Sequence, residues 1–141
     1  MNSIQDYMTK NIATISSNQT IQEAASLMNQ YDVGSIPVVD NGQLKGILTD
    51  RDITLRSTAE GLASDTTVSQ VMSTNLISGT SSMSSAEAAE LMSANQIRRL
   101  PIVENNQLVG MVALGDLATN QMSDEAAGHA LTNISSSSKL Q

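Results

Sequence analysis

An internal repeat constrains this chain more than any other feature. The stretch GILTDRD, which begins at Gly46, is repeated 64 positions later as GMVALGD, which begins at Gly110. At this offset residues 8–53 and 72–117 align without a gap. The identical positions include Ser17/Ser81, Pro37/Pro101, Asp52/Asp116 and the run Glu-Ala-Ala at 23–25 and 87–89. One unit is therefore written twice, and we expect the function to depend on what the two copies build together.

The composition indicates a globular domain with an aliphatic core. The chain has 141 residues, no Phe or Trp, two Tyr and eight Met. Each half alone is too small to be more than marginally stable, so we expect the halves to share a core. The absence of cysteine excludes disulfides and thiolate metal sites. The single histidine, His129, leaves no histidine-rich metal site, so no metal is expected.

The charge balance limits the possible partners. Fourteen acidic residues against seven basic ones give a net charge of −7, which argues against nucleic-acid binding, because that depends on Lys and Arg neutralising phosphates. A small phosphorylated ligand is still compatible if the few arginines converge. No stretch has the features of a secretory leader or the ~20 apolar residues of a membrane span. We therefore expect a soluble, cytoplasmic protein that does not contact a membrane.

Each copy is predicted to contain a strand, a helix, a hairpin of two strands and a second helix. Thr20 and Glu23 form a capping-box pattern, which predicts a helix to about Tyr31. Asn41-Gly42 is a strong hairpin signal between two β-rich runs. The predicted elements of the first copy are a short leading helix at 3–8, strands at 13–15, 35–39 and 44–49, and helices at 20–31 and 50–56. Those of the second copy are a helix at 67–72 capped by Thr67, strands at 76–78, 99–103 and 107–113, and helices at 86–95 and 115–122.

These motifs together resemble the CBS domain. The resemblance rests on SIPVVDNGQLKGILTDRD at 35–52, on RRLPIVENNQLVGMVALGD at 98–116 and on the spacing between them, and it covers roughly residues 4–122. It implies a mixed fold (α+β or α/β) of two CBS repeats, each β-α-β-β-α, packed sheet to sheet with pseudo-twofold symmetry as a Bateman module. The implied domains are repeat 1 at 1–57, a linker at 58–66, repeat 2 at 67–122 and a C-terminal extension with a disordered tail at 123–141.

The resemblance also implies a ligand site. In the CBS family the cleft between the repeats binds adenosine-containing ligands, and a T-x-x-D element holds the ribose. Thr49 and Asp52 occupy those positions, and an ionised carboxylate is a strong acceptor for two vicinal hydroxyls. The second copy keeps Asp116 but has Ala113 in place of the threonine, so we place the ribose site in the first copy.

The remaining ligand contacts follow from the same resemblance. Arg98 and Arg99 stand where the family often has basic residues for phosphate, and the first copy has Gly34 and Ser35 there. An adenine ring would lie between aliphatic side chains and be read by backbone near Thr14. The candidate nucleotide-binding residues are Thr14, Ile36, Pro37, Val38, Thr49, Asp52, Arg98, Arg99, Leu100 and Asp116.

Structural roles compete with these assignments. Thr49, Asp50 and Asp52 have the residue types of a helix cap. Arg51 and Arg56 have the spacing to pair with acids on the helix surface. Arg98 and Arg99 are also compatible with solvated charge at a strand edge.

The sequence-based hypothesis is a non-catalytic regulatory protein. Its regulatory ligand would be an adenine nucleotide (AMP, ADP or ATP), as in energy sensing, or S-adenosylmethionine, with no cofactor required. A homodimer formed through the CBS pairs and an unidentified protein partner are the implied assembly. No serine is paired with a base, so we expect no enzyme activity. The alternative is a ligand-free scaffold for dimerisation or protein contact.

Overall fold

The computed structural model describes residues 3–118. The predicted C-terminal extension, which contains His129, lies outside this range. The strands are β1 (Ser35–Asp40), β2 (Gln43–Thr49), β3 (Arg99–Glu104) and β4 (Gln107–Ala113). The α-helices are α1 (Ile21–Tyr31), α2 (Asp50–Ile53), α3 (Ser85–Asn95) and α4 (Leu114–Ala118). Short 3-10 helices cover Ile4–Asp6 and Val68–Gln70, and a π-helical turn covers Thr54–Thr58.

The two long helices begin at the predicted capping boxes. Thr20 Oγ1 accepts a hydrogen bond from the backbone N–H of Glu23 at 3.1 Å, and the Glu23 carboxylate accepts from the N–H of Thr20. Ser84 and Glu87 make the same reciprocal pair at the start of α3. Each box satisfies backbone donors that a helix start leaves without an intrahelical partner. Both capping predictions are confirmed.

The two hairpins are also confirmed. β1 pairs antiparallel with β2, from Ser35 opposite Thr49 to Asp40 opposite Gln43, with a register irregularity between Val38 and Val39. β3 is hydrogen-bonded to β4, the strand that follows it in the chain. The turn residues Asn41 and Gly42 both have positive φ, 54° and 81°, as do Asn105 and Asn106. Positive φ at both central residues is what a tight type I′ hairpin turn requires.

The described residues form two compact units that do not coincide with the sequence repeats. One unit contains residues 13–76 and 106–108, and the other contains 3–12, 77–105 and 109–118. We call residues 3–12 the leading segment of the first repeat and residues 67–76 the leading segment of the second. Each leading segment therefore folds with the hairpin of the other repeat. Thr9 exchanges two backbone hydrogen bonds with Met111, at 2.8 and 2.9 Å, and Ser73 does the same with Ile47, at 2.9 and 3.0 Å. The domain boundaries that follow the repeat remain a prediction.

Glycine is required where these leading segments cross the hairpins. A Cβ atom added at Gly46 would lie 2.8 Å from Met72 Sδ and 2.8 Å from the Ser73 carbonyl oxygen. A Cβ atom at Gly110 would overlap the side chain of Met8. Both glycines are buried, so a larger residue has no open space to enter. The repeated glycines thus allow the leading segments to approach the strands closely.

Each unit has its own buried core, and each core draws on both sequence repeats. The two halves were expected to share a core, and each of the two buried clusters contains residues of both repeats. Ile4 packs with the residues of the second repeat, while Val68 and Val71 pack with those of the first, because the leading segments are exchanged. The first cluster contains Ile4, Ala88, Ala89, Met92, Leu100, Ile102, Val112, Leu114 and Leu117. The second contains Ile15, Ile21, Ala24, Met28, Ile36, Val38, Leu48, Val68 and Val71.

Several local predictions differ from the structure. The helix predicted at 50–56 is α-helical only to Ile53 and continues as the π-helical turn. Arg56, expected to pair with an acidic side chain, donates from Nη1 to the carbonyl oxygen of Met72 at 3.2 Å. Thr67 precedes a 3-10 helix of three residues, and its hydroxyl lies 3.0 Å from Ser69 Oγ instead of capping a longer helix.

Candidate functional site

The first T-x-x-D element lies where β2 ends and α2 begins. Thr49 Oγ1 accepts from the backbone N–H of Asp52 at 2.9 Å, and Asp52 Oδ2 accepts from the N–H of Thr49 at 3.0 Å. The two residues therefore form a capping box, which was the structural alternative to a ligand role. Asp52 Oδ1 accepts no hydrogen bond from residues 3–118. The cap thus fixes the position of the carboxylate and leaves one oxygen for another donor.

A second carboxylate, that of Asp50, lies next to the Thr49–Asp52 capping box. The N–H of Asp50 donates to the Gly34 carbonyl oxygen at 2.9 Å, which joins the start of α2 to the residue just before β1. A Cβ atom at Gly34 would lie 3.3 Å from Asp50 Oδ2. Asp50 is exposed and Asp52 is half-buried. Two carboxylates therefore lie at the junction of β2 and α2.

The equivalent place in the second repeat has a different chemistry. The N–H of Leu114 donates to the Arg98 carbonyl oxygen at 2.7 Å, so the backbone arrangement is preserved. Ala113 has no hydroxyl to cap α4, and Asp116 is exposed. Burial lowers the pKa of the half-buried Arg99, and the nearby negative charge of Asp116 acts in the opposite direction. The acidic residue of this copy therefore lies beside an arginine rather than in a threonine cap.

The aliphatic candidates lie in the cores. Ile36, Val38 and Leu100 have no exposed surface, and Pro37 is also buried. Contact between an adenine ring and these side chains would require neighbouring atoms to move, so that contact stays a prediction. Thr14 is exposed and precedes Ile15, whose N–H donates to the Pro37 carbonyl oxygen at 3.1 Å. The backbone near Thr14 is therefore held against β1.

The ten candidate residues divide between the two units. Thr14, Ile36, Pro37, Val38, Thr49 and Asp52 belong to one unit, and Arg98, Arg99, Leu100 and Asp116 belong to the other. Within the first unit the structure brings together the end of β2, the start of α2 and the residue before β1. The predicted cooperation of Asp52 with Arg98 and Arg99 joins residues of different units and stays a prediction.

The sequence-based interpretation missed two equivalent sites at which serine N–H and hydroxyl groups donate to a carboxylate at the end of a strand. We call these sites the serine clamps. At the end of β1, Asp40 accepts from Ser17 Oγ at 2.6 Å, from the Ser17 N–H at 3.0 Å and from Ser16 Oγ at 3.0 Å. At the equivalent position Glu104 accepts from both the hydroxyl and the N–H of Ser81. The hydrogen bonds from Ser17 lower the pKa of Asp40, and those from Ser81 lower the pKa of Glu104. The signal was present: the serine is identical and the acid is retained in both copies.

Two further observations bear on function. Within residues 3–118, no three histidine, cysteine or acidic side chains come together in a group that could hold a metal ion. In the same part of the chain, no helix is long and apolar enough to cross a membrane.

The chain thus contains two copies of a unit of helices and an antiparallel hairpin, each with an acidic residue at a strand-to-helix junction. The CBS domain profile matches residues 4–57 and 68–123, and the chain belongs to the CBS domain family. The chain is 65% identical over 135 residues to the CBS domain-containing protein YhcV of Bacillus subtilis, and the match covers 96% of both chains. It is 31% identical over 120 residues to Hypoxic response protein 1 of Mycobacterium tuberculosis, covering 84% of each.

Solved structures agree with this assignment. The crystal structure of Hypoxic Response Protein I with two coordinated zinc ions matches with a TM-score of 0.77 and 30% identity, covering 84% of this chain and 98% of the other. The CBS domain pair of protein MJ0100, in complex with 5′-methylthioadenosine and S-adenosyl-L-methionine, matches with a TM-score of 0.74 and 28% identity, covering 84% and 94%. The predicted fold class, two CBS repeats of helices and antiparallel sheet, is confirmed. The relative packing of the repeats stays a prediction.

Proposed function

We propose that this protein is a non-catalytic regulatory CBS pair that binds an adenosyl ligand, with Asp52 as an acceptor for the ribose hydroxyls. The observation that carries this proposal is the Thr49–Asp52 capping box. One carboxylate oxygen of Asp52 accepts from the Thr49 N–H at the end of β2, and the other accepts no hydrogen bond from residues 3–118. A positioned, ionised carboxylate forms stronger hydrogen bonds to hydroxyls than a neutral acceptor does.

The neighbouring CBS pair supports the same ligand class. The MJ0100 pair binds 5′-methylthioadenosine and S-adenosyl-L-methionine, two compounds that share an adenosine and differ in the sulphur substituent. The common adenosine is the part that a ribose-binding carboxylate recognises. The candidate ligands for this chain are accordingly AMP, ADP, ATP and S-adenosylmethionine or a related adenosyl compound.

Regulation requires that the ligand favour one arrangement of the protein over another. A ligand that binds two arrangements with equal affinity shifts neither population. We therefore propose that binding changes the surface presented to a protein partner in the cytoplasm, where the protein acts as a homodimer. No ligand chemistry at the site is needed for this role.

A thermal-shift panel on nucleotide-free protein tests the proposal. The ligands are AMP, ADP, ATP, 5′-methylthioadenosine and S-adenosylmethionine, and GMP and GTP are the controls. A ligand present at about 100 times its dissociation constant stabilises the fold by about 2.7 kcal/mol, which raises the Tm by several degrees. We expect a rise with one or more adenosyl ligands and none with guanine nucleotides.

The variant Asp52→Asn separates recognition from folding in the same panel. The asparagine side-chain oxygen still accepts from the Thr49 N–H, so the cap is retained while the charge is lost. We expect the unliganded Tm to change little and at least one adenosyl shift to disappear. A flat panel with the wild-type protein would favour the ligand-free scaffold instead.

A further inference from the structure

We propose that the Thr49–Asp52 position of the first repeat and the equivalent position at 113–116 of the second repeat select different classes of adenosyl ligand. The second-repeat position, with Arg98, Arg99 and Asp116, binds a ligand that carries a phosphate. The first-repeat position, with Asp50 and Asp52, binds an adenosyl compound without a phosphate, either uncharged or cationic. This inference rests on the proposed function and goes beyond it, because it assigns a ligand class to each position.

The first position carries two acidic residues, Asp50 and Asp52, at the start of α2. Asp50 is tied by its N–H to the Gly34 carbonyl oxygen, and its carboxylate lies 3.3 Å from where a side chain at residue 34 would begin. Asp52 stands two residues further along the same helix start. A phosphate entering here meets like charges, whereas a sulphonium or an uncharged thioether does not. Like-charge contacts at a binding site are a strong basis for rejection.

The second position has different residues in place of Gly34 and Asp50. Arg98 occupies the place of Gly34, and Leu114 occupies the place of Asp50, with the same backbone hydrogen bond at 2.7 Å. Arg99 occupies the place of Ser35 and lies near enough to Asp116 for their charges to interact. Asp116 and the two consecutive residues Arg98 and Arg99 therefore belong to the same end of this unit, where we assign the carboxylate to ribose and the arginines to phosphate. Arginine's planar fork matches phosphate oxygens.

A count over matched positions shows the size of the difference. Residues 32–35 and 49–52 of the first repeat include three acids and one arginine, a net charge of −2. The equivalent residues 96–99 and 113–116 include two arginines and one acid, a net charge of +1. The backbone hydrogen bond at the junction is the same in both copies, so the two positions differ in charge as well as in the threonine cap.

Isothermal titration calorimetry with two probes tests the assignment. AMP and 5′-methylthioadenosine share the adenosine and differ in the phosphate. The full chain is compared with Arg98→Gly and Arg99→Ser, which place the first-repeat residue at each second-repeat position, and with Asp116→Asn and Asp52→Asn. Thermal unfolding of every variant without ligand confirms that it is folded.

The two ligands should respond to different variants. We expect Arg98→Gly, Arg99→Ser and Asp116→Asn each to weaken AMP binding at least about tenfold and to leave 5′-methylthioadenosine binding within twofold. Asp52→Asn should weaken 5′-methylthioadenosine binding at least about tenfold and leave AMP binding within twofold. Raising the salt concentration should weaken AMP binding more than 5′-methylthioadenosine binding, because salt screens the attraction between the AMP phosphate and the arginines.

A gain-of-binding variant provides an independent arm. The double substitution Gly34→Arg with Asp50→Leu places the residue types of positions 98 and 114 in the first repeat and raises the net charge of residues 32–35 and 49–52 from −2 to 0. We expect it to add an AMP site that Asp52→Asn abolishes. If both ligands bind the wild-type chain but are lost through the same variant, the division of ligand classes is wrong and the proposed function stands. If neither ligand binds at millimolar concentration, the division of ligand classes is wrong, and the proposed function is then decided by ADP, ATP and S-adenosylmethionine in the thermal-shift panel.

Discussion

Thr49 and Asp52 hold each other through two hydrogen bonds, Asp52 N–H to Thr49 Oγ1 at 2.9 Å and Thr49 N–H to Asp52 Oδ2 at 3.0 Å. The helix-cap and ligand-binding interpretations of this motif are therefore not exclusive, because the cap uses one oxygen of the carboxylate. In the second repeat Ala113 removes the hydroxyl half of the same arrangement.

This difference between the repeats predicts opposite effects of two matched substitutions. Thr49→Ala removes the hydroxyl that accepts from Asp52 N–H and should lower the free energy of unfolding by about 1 kcal/mol. Ala113→Thr restores a capping residue before Asp116 and should raise that free energy by up to a similar amount. Urea unfolding of both variants measures the change. A Thr49→Ala protein as stable as the wild type would contradict the capping role of position 49.

The buried glycines predict a steric effect confined to two positions. Gly46→Ala places a Cβ atom 2.8 Å from Met72 Sδ and from the Ser73 carbonyl oxygen, and the carbonyl belongs to backbone that pairs with β2. Overpacking of this kind costs about 1–3 kcal/mol. We expect a similar loss for Gly110→Ala, where the added atom meets Met8.

Gly115→Ala is the matched control for these glycine variants, because nothing lies within 4 Å of its added Cβ atom. It should be neutral or slightly stabilising, since alanine is the better helix former. A Gly46→Ala protein as stable as the control would show that the leading segment does not pack on β2 as described.

The serine clamps predict a pH-dependent stability difference. The Ser17 hydrogen bonds lower the pKa of Asp40 below its usual 3.8, so the ionised form stabilises the fold at neutral pH. This contribution is lost as the pH falls through the lowered pKa of the folded state. The Tm difference between wild type and Ser17→Ala should therefore be largest near pH 7 and shrink toward pH 3.

Ser81→Ala tests the same relationship at Glu104, whose usual pKa is 4.5 and is lowered in the same direction by Ser81. Ser82→Ala is the control, because Ser82 is exposed and its hydroxyl hydrogen-bonds with Thr80 Oγ1 and with no carboxylate of residues 3–118. A Tm difference that grows on acidification would mean that the serines do not stabilise the ionised carboxylates.

The elements were predictable where local chemistry determines them. The caps at Thr20 and Ser84 satisfy helix-start donors, and the Asn-Gly turn adopts a backbone that few other residue pairs accept. These signals lie within a few residues of each other in the sequence, so they do not depend on which parts of the chain meet in three dimensions.

The exchange of the leading segments was not predictable from the repeat. Met8 and Met72 occupy equivalent positions, and either could pack on Gly46 or on Gly110 with the same chemistry. Only the path of the chain decides between the two. The degree of burial of Ile36, Val38 and Leu100 was not predictable from the sequence either, since a strand's alternation does not show which face a neighbouring element covers.

The most direct test of the central claim is a ¹H–¹⁵N NMR titration with 5′-methylthioadenosine, which locates the ligand on the sequence. We predict saturable shifts in the amides of Thr49 and Asp52 and in those of residues 33–36, because Gly34 contacts the start of α2. The shifts should vanish in Asp52→Asn while the remaining spectrum stays that of the folded protein. Saturable shifts confined to residues away from 33–36 and 49–52, or no shifts at all, would contradict the account.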